Sequence, residues 1–343
     1  MRGKLKFIFA SLFAFLPLTL SAAGEEGGLD MQSYIFGHVG DAYEWHITKV
    51  GDTDISIPLP CIVIDDGLHV FSSERMAEHG YTLNEDGKLV NASTMERPLD
   101  LSITKNVLAL MINAALLVGL ILGCARWYRK HDVLKEKPKG LVALMEPVIM
   151  FVESDLVKDV IGPGYRKFSP YLMTAFFFIL INNLMGIFPF FPGGANTTGN
   201  IAITLVLAVF TFIMVNLFGT KKYFKEIFWP EVPVFLKAVP LMPIIEIIGV
   251  FTKPFSLMIR LFANTLGGHI MILSMVGLIF ISASMGAFVN GAFSVVALLL
   301  GVFLDCLEIL VAFIQAYVFT LLSAVFISLA HPDEAGEAVK DNG

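Results

Sequence analysis

Arg260 is followed by 44 residues without a Lys, Arg, Asp or Glu, and the next formal charge is Asp305. An uncharged run of 18 or more apolar residues is long enough to cross a bilayer. A run this long therefore restricts the chain to a membrane setting. Composition agrees. Of 343 residues, 56% are hydrophobic and 16% charged, against about 25% charged in soluble domains. Mean hydropathy is +0.73. The chain reads as a polytopic membrane protein, and its net charge of −6 is informative only region by region. Arg260 is then the anomaly, because a charge at mid-membrane costs roughly 2.5–3.5 kcal/mol on insertion scales. Something must offset that cost.

The first residues, MRGKLKFIFASLFAFLPLTLSAAG, have the form of a secretory signal. Arg2, Lys4 and Lys6 precede a short apolar run, Phe7 to Leu20, and Ser21-Ala22-Ala23 supplies small residues before a cleavage point. Residues 24–102 follow as an acidic extracytoplasmic domain, with fifteen acidic side chains against Lys49, Arg75, Lys88 and Arg97. EWHITKV and ISIPLPCIVI suggest short strands, and Asp65-Asp66-Gly67 a hairpin turn before LHVF. His38, His46, His69 and His79 fit no metal-ligand spacing. Cys61, Cys124 and Cys306 fall in different regions, so no disulfide is expected.

From residue 103 the chain reads as five spans, about 103–125, 169–191, 200–220, 240–280 and 291–330. The first ends in a basic stretch between Arg126 and Lys139, which marks the cytoplasmic side. Residues 141–162 mix apolar side chains with Glu146, Glu153, Asp155, Lys158 and Asp159, the pattern of an amphipathic interfacial helix. FPFFPGGANTTGN turns the second span into the third, and KKYFK returns the chain to the basic side. A single helix over 240–280 would be about 61 Å long, twice the membrane thickness, so it must tilt steeply or kink at Pro240, Pro243 or Pro254. Residues 332–343 form a short polar tail, placed in the cytoplasm.

Charges inside the spans fall into a pattern. Glu246, Lys253, Arg260 and Gly267 are seven apart and nearly share a face, and Asn264 is one turn beyond Arg260. Ala263, Gly267 and Gly268 leave that face locally hollow. His269 is half a turn round from Arg260 and roughly 13 Å further along. In the last span Glu308, Ala312, Gln315 and Ala316 align, with Asp305 nearby. Arg is a fixed cation and cannot relay protons; Glu246, His269, Asp305 and Glu308 can. Such a set suits proton transfer across a membrane. The same residues also admit a structural Arg260–Glu308 ion pair between two helices.

KPFSLMIRLFANTLGGHI and LEILVAFIQAYVFTLLSAVFISLA closely resemble the two signature segments of subunit a of F-type rotary ATP synthases. FFFILINNLMGIFP and NIAITLVLAV resemble two earlier segments, and the likeness covers residues 102–331. The resemblance implies that Arg260 is an electrostatic divider facing the carboxylates of a rotating c-ring. It matches Asn264, Gln315 and Glu246 to the family's polar positions on the proton path. Relatives often carry an acid after the arginine and a histidine on the last helix; here His269 and Glu308 occupy those places in exchanged order, as in other relatives. The implied fold is an all-α polytopic membrane protein whose last two helices are long and strongly tilted against the c-ring, with a small N-terminal β-containing domain as a departure from shorter relatives. The implied partners are the c-ring, subunit b of the peripheral stalk, the remainder of the complex and the lipid of a bacterial inner membrane, with no nucleic acid, metal or cofactor. No Gly-rich phosphate loop of the Walker kind occurs, so ATP chemistry is expected on other subunits. The competing class is a self-contained proton-coupled secondary transporter, which would usually carry internal repeats with matching broken helices; none is visible. An intramembrane hydrolase would need a nucleophile–base arrangement that the sequence lacks.

Overall fold

The computed structural model describes residues 40–50, 53–84, 87–132, 136–188, 191–228, 241–282 and 285–331. The signal-like segment, His38, Pro240 and the polar tail lie outside them. Among the described residues of the N-terminal domain there are seven short strands: β1 Glu44–Val50, β2 Thr53–Pro58, β3 Pro60–Ile64, β4 Leu68–Ser72, β5 Tyr81–Leu83, β6 Leu89–Asn91 and β7 Leu99–Asp100. They form two hairpins, β1–β2 and β5–β6, and a three-stranded antiparallel sheet in the order β4-β3-β7. The turn read at Asp65–Gly67 joins β3 to β4, closed by Asp65 N donating to Gly67 O at 3.1 Å. Alternation along β3 sends Cys61 and Val63 inward, where they meet Tyr43, Phe71, Met76, Tyr81 and Leu89 in one small core. His79 stacks on Phe71 and His69 sits edge-on to Tyr81, so both rings are engaged in packing. The Tyr43 hydroxyl donates to the Asp100 carboxylate and accepts from Leu89 N, tying the start of the domain to its end. Burial first, and then that carboxylate, push the Tyr43 hydroxyl well above its usual titration range.

Among the described residues eight α-helices follow: α1 Lys105–Lys130, α2 Leu141–Met150, α3 Asp159–Ile161, α4 Ser169–Ile187, α5 Ile201–Leu217, α6 Lys221–Phe228, α7 Leu241–Ser282 and α8 Ala287–Ala330. A π-helical stretch, Phe151–Lys158, joins α2 to α3. Among the described residues four helices are long and apolar enough to span a membrane (α1, α4, α7 and α8), and α5 is a shorter apolar helix of 17 residues, at the lower limit of about 17–25 for a crossing. The mostly helical membrane part and the small β-sheets before it match the fold class read from the sequence. Of the segment read as amphipathic over 141–162, residues 152–161 show a two-sided pattern: Val152, Leu156, Val157 and Ile161 are buried while Glu153, Asp155, Lys158 and Asp159 are exposed; over 141–150 no residue is buried. Phe151 stacks against Phe313 and Tyr317 of α8, fixing this segment to the bundle.

Helix α7 runs 42 residues without interruption through Pro254, about 63 Å at the α-helical rise. It packs against α8 and α5, while α8 packs on α4 and α4 on α1. A polar node locks three helices together: Tyr171 of α4 and Thr211 of α5 are 2.7 Å apart, and Thr211 is 3.3 Å from Ser323 of α8. Buried polar pairs of this kind hold helices where lipid supplies no hydrophobic drive between them. The chain alternates between two ends of the bundle. Trp45 of the N-terminal domain packs with Ala109 at the start of α1, Ala195 and Phe191 of the α4–α5 connection. At the opposite end Thr220 N donates to Ala330 O at 3.0 Å, joining the start of α6 to the end of α8.

Candidate functional site

Helices α7 and α8 flank a half-open cavity of about 310 Å³ lined by Asn183, Asn264, Gly267, Gly268, Glu308 and Gln315 among others. The small residues seen in the sequence create it. Gly267, Gly268, Ala263 and Ala312 keep the two backbones free of bulk, so polar side chains from three helices share one space. Gln315 is buried at 7% exposure, and Ala312 and Ala316 of the same row are buried beside it.

Glu308 and His269 meet here. Glu308 Oε1 lies 3.9 Å from His269 Nε2, with both side chains largely buried. That separation exceeds a hydrogen bond but is within range of one bridging water. The other carboxylate oxygen, Oε2, is buried without a hydrogen-bond partner. Two glycines make the room. A Cβ on Gly268 would come within 2.8 Å of Glu308 Oε1, and one on Gly186 of α4 within 3.2 Å of His269 Nε2. Asp305, one turn before Glu308 on α8, is half-buried. These three titratable residues lie toward the end of the bundle that carries the N-terminal domain, since Gly186 adjoins both His269 and Ala195 and Ala195 packs on Trp45.

Arg260 is exposed on α7, and among the described residues no carboxylate forms an ion pair with it. The structural Arg260–Glu308 pair is therefore not formed; Glu308 faces His269 instead. Asn264, one turn past Arg260, lines the cavity. Glu246 is exposed toward the opposite end, where α6 packs on α7 and Tyr223 lies within electrostatic reach of the carboxylate. Along the helix axis Arg260 stands about 21 Å from Glu246 and about 13 Å from His269. Lys253, between Glu246 and Arg260, places its ammonium 5.7 Å from the Phe326 ring centroid, within cation–π range.

The structure thus brings Glu308, Asn264 and Gln315 to one cavity, sets His269 opposite Glu308 with Asp305 one turn away on α8, and leaves Arg260 and Glu246 outside the cavity lining. Sequence reasoning gives no role to Asn182, Asn183, Gly186 or Thr197–Thr198. Asn182 Oδ1 accepts from Asn113 Nδ2 and from Thr197 Oγ1, each at 3.0 Å, and Thr198 Oγ1 donates to Asn183 Oδ1 at 2.5 Å. The available signal was a pair of adjacent asparagines in an otherwise apolar helix, since polar groups at membrane depth mark function by default.

Residues 107–328 match the family model described as ATP synthase A chain, and residues 34–105 match a domain of unknown function (DUF8433). The chain is 41% identical over 246 residues to ATP synthase subunit a of Chloroherpeton thalassium, covering 70% of each protein. It is 43% identical over 249 residues to ATP synthase subunit a 2 of Chlorobium luteolum, covering 70% of this chain and 68% of that one. A third relative, ATP synthase subunit a of Chlorobium phaeobacteroides, is 41% identical over 274 residues, 75% of each chain.

Proposed function

This chain belongs to the ATP synthase A chain family, and on that premise we propose that it is the proton-translocating stator subunit of the membrane sector, with two half-channels that load and unload the carboxylates of a rotating c-ring. It is a multi-pass membrane protein working within the ATP synthase complex. The observation that carries the finer reading is the disposition of charge. An exposed arginine without a carboxylate partner among the described residues stands between His269, Glu308 and Asp305 toward one end and Glu246 toward the other.

In this reading a proton reaches the ring carboxylate from the Glu308 side. The neutral ring site then rotates through lipid and releases its proton toward the Glu246 side. Arg260 attracts the deprotonated carboxylate and bars direct passage between the two paths. Transient ring carboxylates offset the cost of holding its charge in the membrane. Asn264 and Gln315 supply hydrogen-bonding groups around the cavity, and Asp305 adds a second acid near Glu308. The c-ring and subunit b of the peripheral stalk are its direct partners. Copurification of the detergent-extracted chain with a ring oligomer tests the assignment. Isolation of a ring-free protein that carries out proton-coupled solute uptake in liposomes would favour the secondary transporter instead.

The domain of residues 24–102 faces the periplasm in this reading, with the basic stretch 126–139 in the cytoplasm. Cys61 is fully buried and unsuitable as a reporter. Leu68, 67% exposed at the β3–β4 hairpin, is suitable. Leu68→Cys should react with a membrane-impermeant thiol reagent in cells whose outer membrane alone is permeabilised. Reaction only after inner-membrane lysis would invert the topology.

Gly268→Ala should lower proton flux without loss of the subunit. Ala is favoured over Gly inside a helix by roughly 0.5–1 kcal/mol, so α7 is not weakened. The new methyl would instead displace the Glu308 carboxylate, whose Oε1 stands 2.8 Å from the ideal Cβ position. ATP-driven acidification of inverted vesicles at matched abundance is the measurement. An unchanged rate would mean that the position of Glu308 is immaterial.

A further inference from the structure

The N-terminal domain has no role in the account above, and one face of its three-stranded sheet is unlike the rest of it. Register sets Ile64 opposite both Leu68 and Leu99, and Ile62 opposite Val70. Leu101 N donates to Ile62 O at 2.9 Å, which extends the ladder past β7. Residues directly opposite one another share a face. Ile62, Ile64, Leu68, Val70, Leu99 and Leu101 therefore stand on one side of the sheet, while Cys61, Val63 and Phe71 point to the core on the other. Val70 and Leu101 are 61% and 56% exposed. The domain is strongly acidic, yet no charged side chain interrupts this face. Asp100 of β7 points to the core side, where it accepts from the Tyr43 hydroxyl, and Asp65 and Asp66 sit in the β3–β4 turn at the far end.

A contiguous apolar patch of this kind marks an interaction surface with protein or membrane. Position and chemistry select the membrane. Ile103 N donates to Pro60 O at 3.1 Å, so the sheet continues to within two residues of Lys105, the first residue of the spanning helix α1. At about 3.3 Å per extended residue, Leu101 stands no more than about 13 Å from the start of that helix. Val107 and Met111, both exposed, open the lipid-facing side of α1. The near end of the sheet face is thus tethered beside a surface that already meets lipid, and apolar faces of interfacial elements sink about 5–10 Å into the boundary between headgroups and acyl chains. The composition agrees. Interfaces between proteins favour aromatic side chains and Arg, whereas this face is wholly aliphatic.

We propose that the aliphatic face of the β4-β3-β7 sheet is a lipid anchor: the sheet inclines onto the adjacent bilayer surface, so that Leu101, Ile62 and Val70 lie among headgroups and the first acyl carbons. Leu68 and the Asp65–Asp66 turn, at the far end of the hairpin, stay in water. The face carries no charged or hydrogen-bonding side chain, so the anchor takes the lipid boundary itself and not a particular headgroup. The domain is then held in two places, by Trp45 on the helix bundle and by this face on the lipid beside it. The anchor needs only that α1 spans the membrane, and does not depend on the half-channel reading.

The test uses the whole membrane sector in phosphatidylcholine liposomes, with Cys306 replaced by alanine and the buried Cys61 and Cys124 kept. Leu101→Cys, Val70→Cys, Leu68→Cys and Glu78→Cys each carry the same environment-sensitive fluorophore. All four positions are exposed, so labelling does not disturb the core. Glu78 adjoins His79, which stacks on the inward-facing Phe71, and so reports from across the core. Lipids bearing a nitroxide near the headgroup should quench Leu101→Cys and Val70→Cys several-fold more than Glu78→Cys. Aqueous iodide should do the reverse, and Leu68→Cys should follow Glu78→Cys. Iodide quenching at Leu101→Cys and Val70→Cys equal to that at Glu78→Cys would overturn the anchor, because the face would then stand in water. Protection from iodide without quenching by the nitroxide lipid would overturn it too, because another subunit or a second copy of the chain would then cover the face. Equal lipid quenching at all four positions would show the fluorophore inserting by itself and would likewise remove the anchor. Proton flux is not the readout, so none of these results bears on the half-channels.

Discussion

Arg260→Ala is expected to abolish ATP-driven proton pumping and proton-driven ATP synthesis while leaving the subunit at wild-type abundance. The two halves of that expectation come from different observations. The side chain is exposed on α7 and pairs with no carboxylate among the described residues, so the fold does not depend on it; substitutions at such positions usually change stability by no more than about 0.5 kcal/mol. A structural Arg260–Glu308 pair would behave otherwise. Removing one partner of a buried pair costs about 3–5 kcal/mol, and the chain would be depleted from the membrane. Glu308 instead lies opposite His269 at 3.9 Å. Loss of function follows from the proposed role of Arg260, because the next cation on α7, Lys253, lies two turns away with its ammonium 5.7 Å from the Phe326 ring centroid. Arg260→Lys should fail too. A compact ammonium does not reproduce the planar guanidinium fork, and it can lose its proton in an apolar setting. Blotting for the subunit alongside pumping assays separates the two outcomes, and wild-type pumping in either variant would remove the divider role.

Glu308→Gln should lower proton flux by roughly tenfold or more at unchanged assembly, since positioned proton-transfer groups contribute about 10²–10⁴ in rate. Gln keeps the shape and hydrogen-bonding capacity of Glu but cannot give up a proton. It also gives the position of Oε2, which is buried without a partner, a neutral group, so folding is not impaired. His269 should act as part of the same unit. The double variant Glu308→Gln, His269→Ala is expected to cost little more than the worse single change, because residues in one network are non-additive. Fully additive losses would mean that the two groups serve separate paths, and a wild-type rate in Glu308→Gln would exclude a required relay.

Much of this arrangement was legible in the sequence because it is one-dimensional. The uncharged run after Arg260 fixes a membrane setting, and seven-residue spacing puts Glu246 and Arg260 on one line. The row Glu308, Ala312, Gln315 and Ala316 follows from helical periodicity alone. What could not be read was contact between helices. Nothing in the spacing of His269 and Glu308, on different helices, places Nε2 beside Oε1; that depends on Gly186 and Gly268, whose missing side chains leave the room. The same holds for Asn113 and Asn182, 69 residues apart and joined by a 3.0 Å hydrogen bond. The seating of the N-terminal domain was equally hidden, because it rests on Trp45 meeting small residues of two distant segments. The Asp65–Gly67 hairpin was readable, since a tight turn is written in consecutive residues.

The most direct test of Arg260 as divider is the passive proton conductance of vesicles stripped of the ATP-hydrolysing sector, compared between wild type and Arg260→Ala at equal subunit abundance. On the divider reading, conductance with the arginine present requires ring rotation. Without it, protonated ring sites exchange between the two paths directly, so conductance through the assembled sector should persist when rotation is blocked by cross-linking the ring to the stator. A wild-type sector so cross-linked should be tight. An Arg260→Ala sector that is equally tight under the same cross-link would contradict the divider.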